Sequence, residues 1–293
     1  MIEPVNSGRS LLEEIDQTIT ATPTLWWLGH AGFIVRFATI TFYIDPFLSA
    51  SCGRVLSASS GPVLSASSGR VLSVTPAHGD RLIAAPLDAS SVRHADLILA
   101  THAHPAHLDA PAIVNMLASS RQAKLVLPKS AAEEAHSAGV PYNRMTTTDA
   151  GLRIEYFRDN LYGRVYAVPS AHPTLDWTAV GGYPYLGYVI RFGRWTIYHA
   201  GDCAEYPGLA DRLRPFNVSV ALLPVGGANF SATQAAQLAH DIGAAWLVPM
   251  HYGMFGDSAG GEESDFVSHM LGHRPEQRFK VFQCGEKWTV PED

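Results

Sequence analysis

The chain has 293 residues, 47% hydrophobic and 16% charged, with 21 Lys+Arg against 27 Asp+Glu and 13 histidines. That length and apolar content support a large core and exclude disorder and collagen-like repeats, while a formal charge of -6 gives no electrostatic reason to expect nucleic acid or an anionic membrane as partner. Cys52, Cys203 and Cys284 form no C-x-x-C pair, and acidic residues stand where a signal peptide needs a basic region, so a cysteine zinc site is excluded and a reducing, cytoplasmic setting is expected.

Ser10 and Glu13 have capping-box spacing, and Leu11, Leu12, Ile15 and Ile19 share one face, which predicts a helix over 10–19. Three β-rich runs at 25–28, 33–37 and 41–44 follow as consecutive antiparallel strands. The last ends in Asp45-Pro46, which holds the Asp45 carboxylate at a strand end. Residues 51–74 are three near-copies of one octapeptide, SCGRVLSA, SSGPVLSA and SSGRVLSV, and read as an expanded loop inserted into a single domain spanning 1–293. An α/β rhythm then predicts strands at 97–101, 124–127, 153–157, 164–168, 187–192, 195–198, 218–223, 245–248, 279–283 and 288–290, with helices at 110–119, 130–137 and 233–242.

Histidine is the unusual feature. Directly after the run 97–101 come His102, His104 and His107, with Pro105 and Ala106 between the last two. Extended geometry puts His102 and His104 on one face, and a turn at Pro105 brings His107 back towards them. Neutral imidazole is the commonest ligand for zinc and similar cations, so such convergence has a chemical purpose. His172, Asp202 and His251 each follow an apolar strand, and ligands delivered from several strand ends onto one rim make a rigidly supported metal site, with Asp202 as a bridging oxygen ligand.

The chain resembles the metallo-β-lactamase-fold hydrolases, and within them the branch similar to L-ascorbate-6-phosphate lactonase. The resemblance rests on Trp27-Leu28-Gly29-His30-Ala31-Gly32-Phe33, Tyr43-Ile44-Asp45-Pro46-Phe47, the Thr101 to Asp109 run, His172, Tyr198-His199-Ala200-Gly201-Asp202 and Pro249-Met250-His251-Tyr252. It implies an α/β fold, an αββα sandwich of two mostly antiparallel or mixed sheets with outer helices. It also implies one or two divalent metal ions, Zn or Mn, with His102, His104 and His172 on the first, His107 and His251 on the second, and Asp202 bridging. The implied reaction is hydrolysis of a small ester, lactone or phosphoester by hydroxide generated on the metal, which Asp202 positions. Asp45 is expected to orient a ligand imidazole, and His30 and His199 to stand beside the site for substrate or for supporting hydrogen bonds.

One position departs from the family pattern H-x-H-x-D-H: Ala106 stands where that pattern has aspartate. A methyl group offers a cation neither charge nor lone pair, so the second site is expected to be weak, and the alternative reading is a catalytically weakened or non-enzymatic metal-binding protein. A serine hydrolase is the rival enzyme class, because Gly256-Asp257-Ser258-Ala259-Gly260 matches G-x-S-x-G. Its context fails, since a nucleophile elbow needs a strand immediately before it and ample chain after it. The expected partner is a small-molecule substrate.

Overall fold

The computed structural model describes residues 1–50, 81–255, 267–269 and 272–292. The octapeptide repeat and the Gly256 to Gly260 motif lie outside the described residues. In chain order the strands are β1 (Thr24–Gly29), β2 (Gly32–Phe37), β3 (Ile40–Ile44), β4 (Leu97–Leu99), β5 (Lys124–Pro128), β6 (Met145–Thr148), β7 (Arg153–Arg158), β8 (Leu161–Pro169), β9 (Leu186–Phe192), β10 (Trp195–His199), β11 (Val220–Pro224), β12 (Trp246–Met250), β13 (Arg278–Phe279) and β14 (Lys287–Thr289). The helices are α1 (Gly8–Gln17), α2 (Ala110–Ser119), α3 (Ala132–Ser137), α4 (Leu209–Leu213) and α5 (Ala232–Asp241).

The strands form two seven-stranded sheets, ordered β14-β1-β2-β3-β4-β5-β6 and β13-β12-β11-β10-β9-β8-β7. Both are mixed. In the first, β14, β1, β2 and β3 pair antiparallel and β3 to β6 parallel; in the second, β7 to β10 pair antiparallel and β10 to β13 parallel. Each sheet therefore has a parallel half whose strand ends point to one rim.

The central strands are apolar at nearly every position because both of their faces are covered. Leu25, Trp27, Phe33, Val35 and Phe42 of the first sheet meet Tyr188, Ile190, Phe192, Ile197 and Leu222 of the second in the core between the sheets. The alternate residues Trp26, Leu28, Ile34 and Tyr43 turn outward onto Leu11, Ile15, Ile113 and Met116 of α1 and α2. On the opposite face Ala221, Leu223 and Leu247 take Leu209, Leu213, Ala235 and Leu238 of α4 and α5. The result is the expected αββα sandwich.

Local differences from the expected elements have identifiable causes. α1 starts at Gly8, so Ser10 and Glu13 lie inside it; Ser7 sits at the N-cap without a side-chain cap, and Ile19, expected on the packed face, falls past the end and is exposed. Among the described residues a capping box forms at α5, where Ser231 and Gln234 satisfy each other's backbone N–H. β6 and α4 were not expected. β6 is the polar run MTTT on a sheet edge, and α4 is a single short turn of helix. The strand expected over 279–283 pairs only at Arg278–Phe279.

Candidate metal centre

The predicted residues come together at the rim where strands end. His102, His104 and His107 lie in the turn after β4, His172 follows β8, Asp202 follows β10 and His251 follows β12. β4 stops at Leu99, so the first two histidines leave a bend and not a strand. A tight turn, with the N–H groups of His107 and Leu108 donating to His104 O at 2.9 and 2.8 Å, folds His107 back onto His102. Their rings are 4.0 Å apart between centroids, and His104 stands 4.5 Å from His102 and 5.3 Å from His172.

Asp202 is the hub. Its Oδ1 is 3.3 Å from His107 Nε2 and 3.2 Å from His251 Nε2, and its Oδ2 is 3.6 Å from His102 Nε2 and 3.8 Å from His172 Nε2. One oxygen thus faces each pair of imidazoles. Gly201 makes this placement possible: its φ is +64°, and a Cβ there would lie 2.7 Å from Leu186 O. His30, Asp45 and His251 also adopt positive φ, at 52, 43 and 71°, which concentrates strained backbone at this rim.

Asp45, at the end of β3, is completely buried beneath the imidazoles. It accepts from Thr101 N at 2.8 Å and from the Thr101 hydroxyl at 2.7 Å, and its Oδ2 pairs with His107 Nδ1 at 2.7 Å. Thr101 Oγ1 also lies 2.9 Å from His102 Nδ1. Both imidazoles are therefore anchored through Nδ1 and present Nε2 to Asp202, the arrangement by which an outer carboxylate or hydroxyl sets a ligand's tautomer. Thr101 was missing from the expected site. The only signal for it in the sequence is a hydroxyl side chain immediately before His102.

Electrostatics separate these groups. Burial pushes the His102 pKa well below the ordinary histidine range, and the neighbouring His107 adds to that depression. Burial also opposes protonation of His107, but Asp202 and Asp45 outweigh it and raise its pKa. His172 is lowered by burial. For Asp202 burial favours the neutral acid, yet His107 and His251 hold the carboxyl well below the usual carboxylate range. The hub is an anion.

These residues fit a divalent cation. Among the described residues, His102 Nε2 and Asp202 Oδ1 are buried without a hydrogen-bond partner, an expensive state unless a cation completes them. Two ligands at about 2.0–2.1 Å from a tetrahedral ion lie about 3.3–3.4 Å apart, close to the contacts around Asp202. The sets His102, His107, Asp202 and His104, His172, Asp202 each bring their ligand atoms within 4.8 Å of one another, as do His30, His107 and His251.

The remaining candidates fall into different places. His30 sits at the tip of the β1–β2 hairpin with its ring 4.0 Å from that of His251 and 5.0 Å from that of His107. His199 is fully buried between the sheets; its Nε2 lies 2.8 Å from Ala31 O and its Nδ1 accepts from Gly201 N at 3.1 Å. Both its nitrogens are engaged, so it braces the turns bearing His30 and Asp202 and has nothing left for substrate. Asp109 caps α2 through Ala112 N and accepts from Leu48 N and Ser49 N. It does not replace the aspartate missing at Ala106. Tyr185 packs its ring 5.1 Å from His102 and His172 and 5.7 Å from His104.

A family profile described as a beta-lactamase superfamily domain matches residues 44–252. The chain belongs to that family. It is 28% identical over 239 residues to a metal-dependent hydrolase of Myxococcus xanthus, covering 80% of this chain and 71% of the relative. A metal-dependent hydrolase of Caldivirga maquilingensis is 26% identical over 269 residues, 91% of this chain and 98% of the relative. Among solved structures, a metallo hydrolase of the archaeon Ignicoccus hospitalis superposes with a TM-score of 0.63 at 22% identity, covering 93% of this chain and all of that one (100%). An isothiocyanate hydrolase from Delia radicum gut bacteria superposes with a TM-score of 0.65 at 18% identity, covering 91% and 99% of the two chains. These likenesses show that the fold is shared. Among the described residues no helix is long and apolar enough to cross a membrane.

Proposed function

We propose that this member of the beta-lactamase superfamily is a metal-dependent hydrolase of a small ester, lactone or phosphoester, with His102, His104, His107, His172, His251 and Asp202 as the metal-holding set. The observation that carries the reading is the buried Asp202 carboxylate, one oxygen turned to His107 and His251 and the other to His102 and His172. The metal-dependent relatives support it. A bound divalent ion of the zinc or manganese type supplies Lewis acidity and brings the pKa of water down to roughly 7.

The chain's own groups do the rest. Asp202 stays ionised and accepts the O–H of the attacking water, which fixes the direction of attack. Asp45 and Thr101 hold His107 and His102 in the tautomer that offers Nε2. Tyr185, half-buried against three imidazoles, walls the site and presents a phenol whose pKa is raised by burial and by Asp176 and Asp202, so it stays a proton donor toward a substrate oxygen.

One observation favours a second reading, a metal-binding protein with weakened catalysis. Ala106 is buried and packs with Phe47, Met254 and Phe255, so the missing aspartate is replaced by an apolar contact. Turnover of simple lactones, carboxylic esters and phosphodiesters by metal-loaded protein separates the two. Hydrolysis of one class that disappears with chelator and returns with metal supports the enzyme. A fully loaded protein that turns over none of them supports the second reading.

A further inference from the structure

Building on the proposed metal-holding set, we infer that His30 takes the place of the missing aspartate, so that a second divalent cation is held by His30, His107, His251 and Asp202. Around the carboxylate, His102 and His172 face Oδ2 and His107 and His251 face Oδ1; His104 stands next to the first pair and His30 next to the second.

Three observations carry this assignment. The ligand atoms of His30, His107 and His251 lie within 4.8 Å of one another, while His107 Nε2 and His251 Nε2 are already 3.3 and 3.2 Å from Asp202 Oδ1. His30 is also fixed to its partner through the main chain, since His30 O accepts from His251 N at 2.9 Å and from Trp27 Nε1 at 3.0 Å. Finally, the His30 ring stands edge-on to Phe47 and Phe255, at 6.5 and 5.4 Å between centroids, and those two rings share a buried cluster with Ala106, where the truncated side chain lies.

Exchanging a carboxylate for an imidazole changes which cation the second position accepts. Asp202 becomes the sole anionic ligand, shared by both positions, and the second set is three nitrogens and one oxygen. Such a set suits zinc or cobalt, whereas manganese and magnesium favour oxygen donors. The second position should therefore discriminate between cations more sharply than the first.

The test is cobalt(II) loading, read by elemental analysis and by the visible absorption of the bound ion, in wild type, His30→Asn and His30→Asn/Ala106→Asp. Asparagine is chosen because it tolerates the positive φ of residue 30. Wild type is expected to bind a second cobalt ion but no second manganese ion. His30→Asn should keep the first cobalt and weaken the second by at least about tenfold, and the double variant should regain it. The assignment is overturned if wild type binds a single cobalt ion, if His30→Asn holds the second as tightly as wild type, or if manganese fills both positions equally. Wild type that binds no ion at all would instead remove the metal-dependent reading on which the assignment rests.

Discussion

Replacing Asp45 with asparagine tests how the centre is oriented without touching Asp202. Thr101 N can only donate, and it donates to Asp45 Oδ1 at 2.8 Å, so the asparagine oxygen must stay on that side. The amide NH2 is then forced toward His107 Nδ1, 2.7 Å from the present Oδ2. To accept from that NH2, His107 must move its proton to Nε2, the atom that faces Asp202 at 3.3 Å, and a protonated nitrogen cannot bind a metal. Loss of such an outer partner costs about 10–100-fold in metal affinity, equivalent to about 1.4–2.7 kcal/mol. The apo protein should also lose stability, because a hydrogen bond to a buried charged group contributes about 1.5–3 kcal/mol. Chelator competition with zinc measures the affinity, and urea unfolding of the apo protein measures the stability. An affinity within about threefold of wild type, with unchanged unfolding, would refute the claim that Asp45 sets the His107 tautomer.

Gly201→Ala places a Cβ 2.7 Å from Leu186 O at a φ of +64°, so it should cost at least about 1–2 kcal/mol and weaken metal binding by displacing Asp202; equal thermal stability and affinity would contradict this. His94, paired with Tyr43 and Asp16, has its pKa lowered, chiefly by burial. The unfolded chain therefore takes up a proton below about pH 6.5 while the folded chain resists, and stability falls as the pH drops through that window, by up to about 1.4 kcal/mol per unit for this group; urea unfolding across pH 5 to 8 should show a shallower slope for His94→Gln. Cys284 is buried with its thiol pushed up to about 12, so iodoacetamide at pH 8 should label it only in denaturant. Labelling of the folded protein would show that this part of the core opens.

The sandwich was legible because both faces of each central strand are covered: runs such as LWWL, FIVRF and TFYI are apolar at all but one position or fewer, yet short and bounded by turn residues, which marks them as buried strands. Metal-ligand candidates were legible for a related reason, since each lies just past such a run. What escaped were features that depend on residues distant in sequence. Thr101 acts only because Asp45, from another strand, reaches it, and His30, expected only beside the site, gains its contacts with His107 and His251 from the way the β1–β2 hairpin folds across them. The misplaced cap of α1 has a different origin. Ser10 and Glu13 have the right spacing, but the buried positions Leu11 and Ile15 set where the helix docks, and it begins one turn earlier.

Anomalous diffraction at the zinc edge, from crystals of zinc-loaded protein, shows whether the imidazoles and Asp202 form a divalent metal centre. Such a centre gives an anomalous peak beside Asp202, about 2.0–2.2 Å from one of its oxygens and from the facing histidine Nε2 atoms. Crystals loaded well above stoichiometry that show no peak at this carboxylate, or zinc bound only elsewhere on the chain, would contradict it.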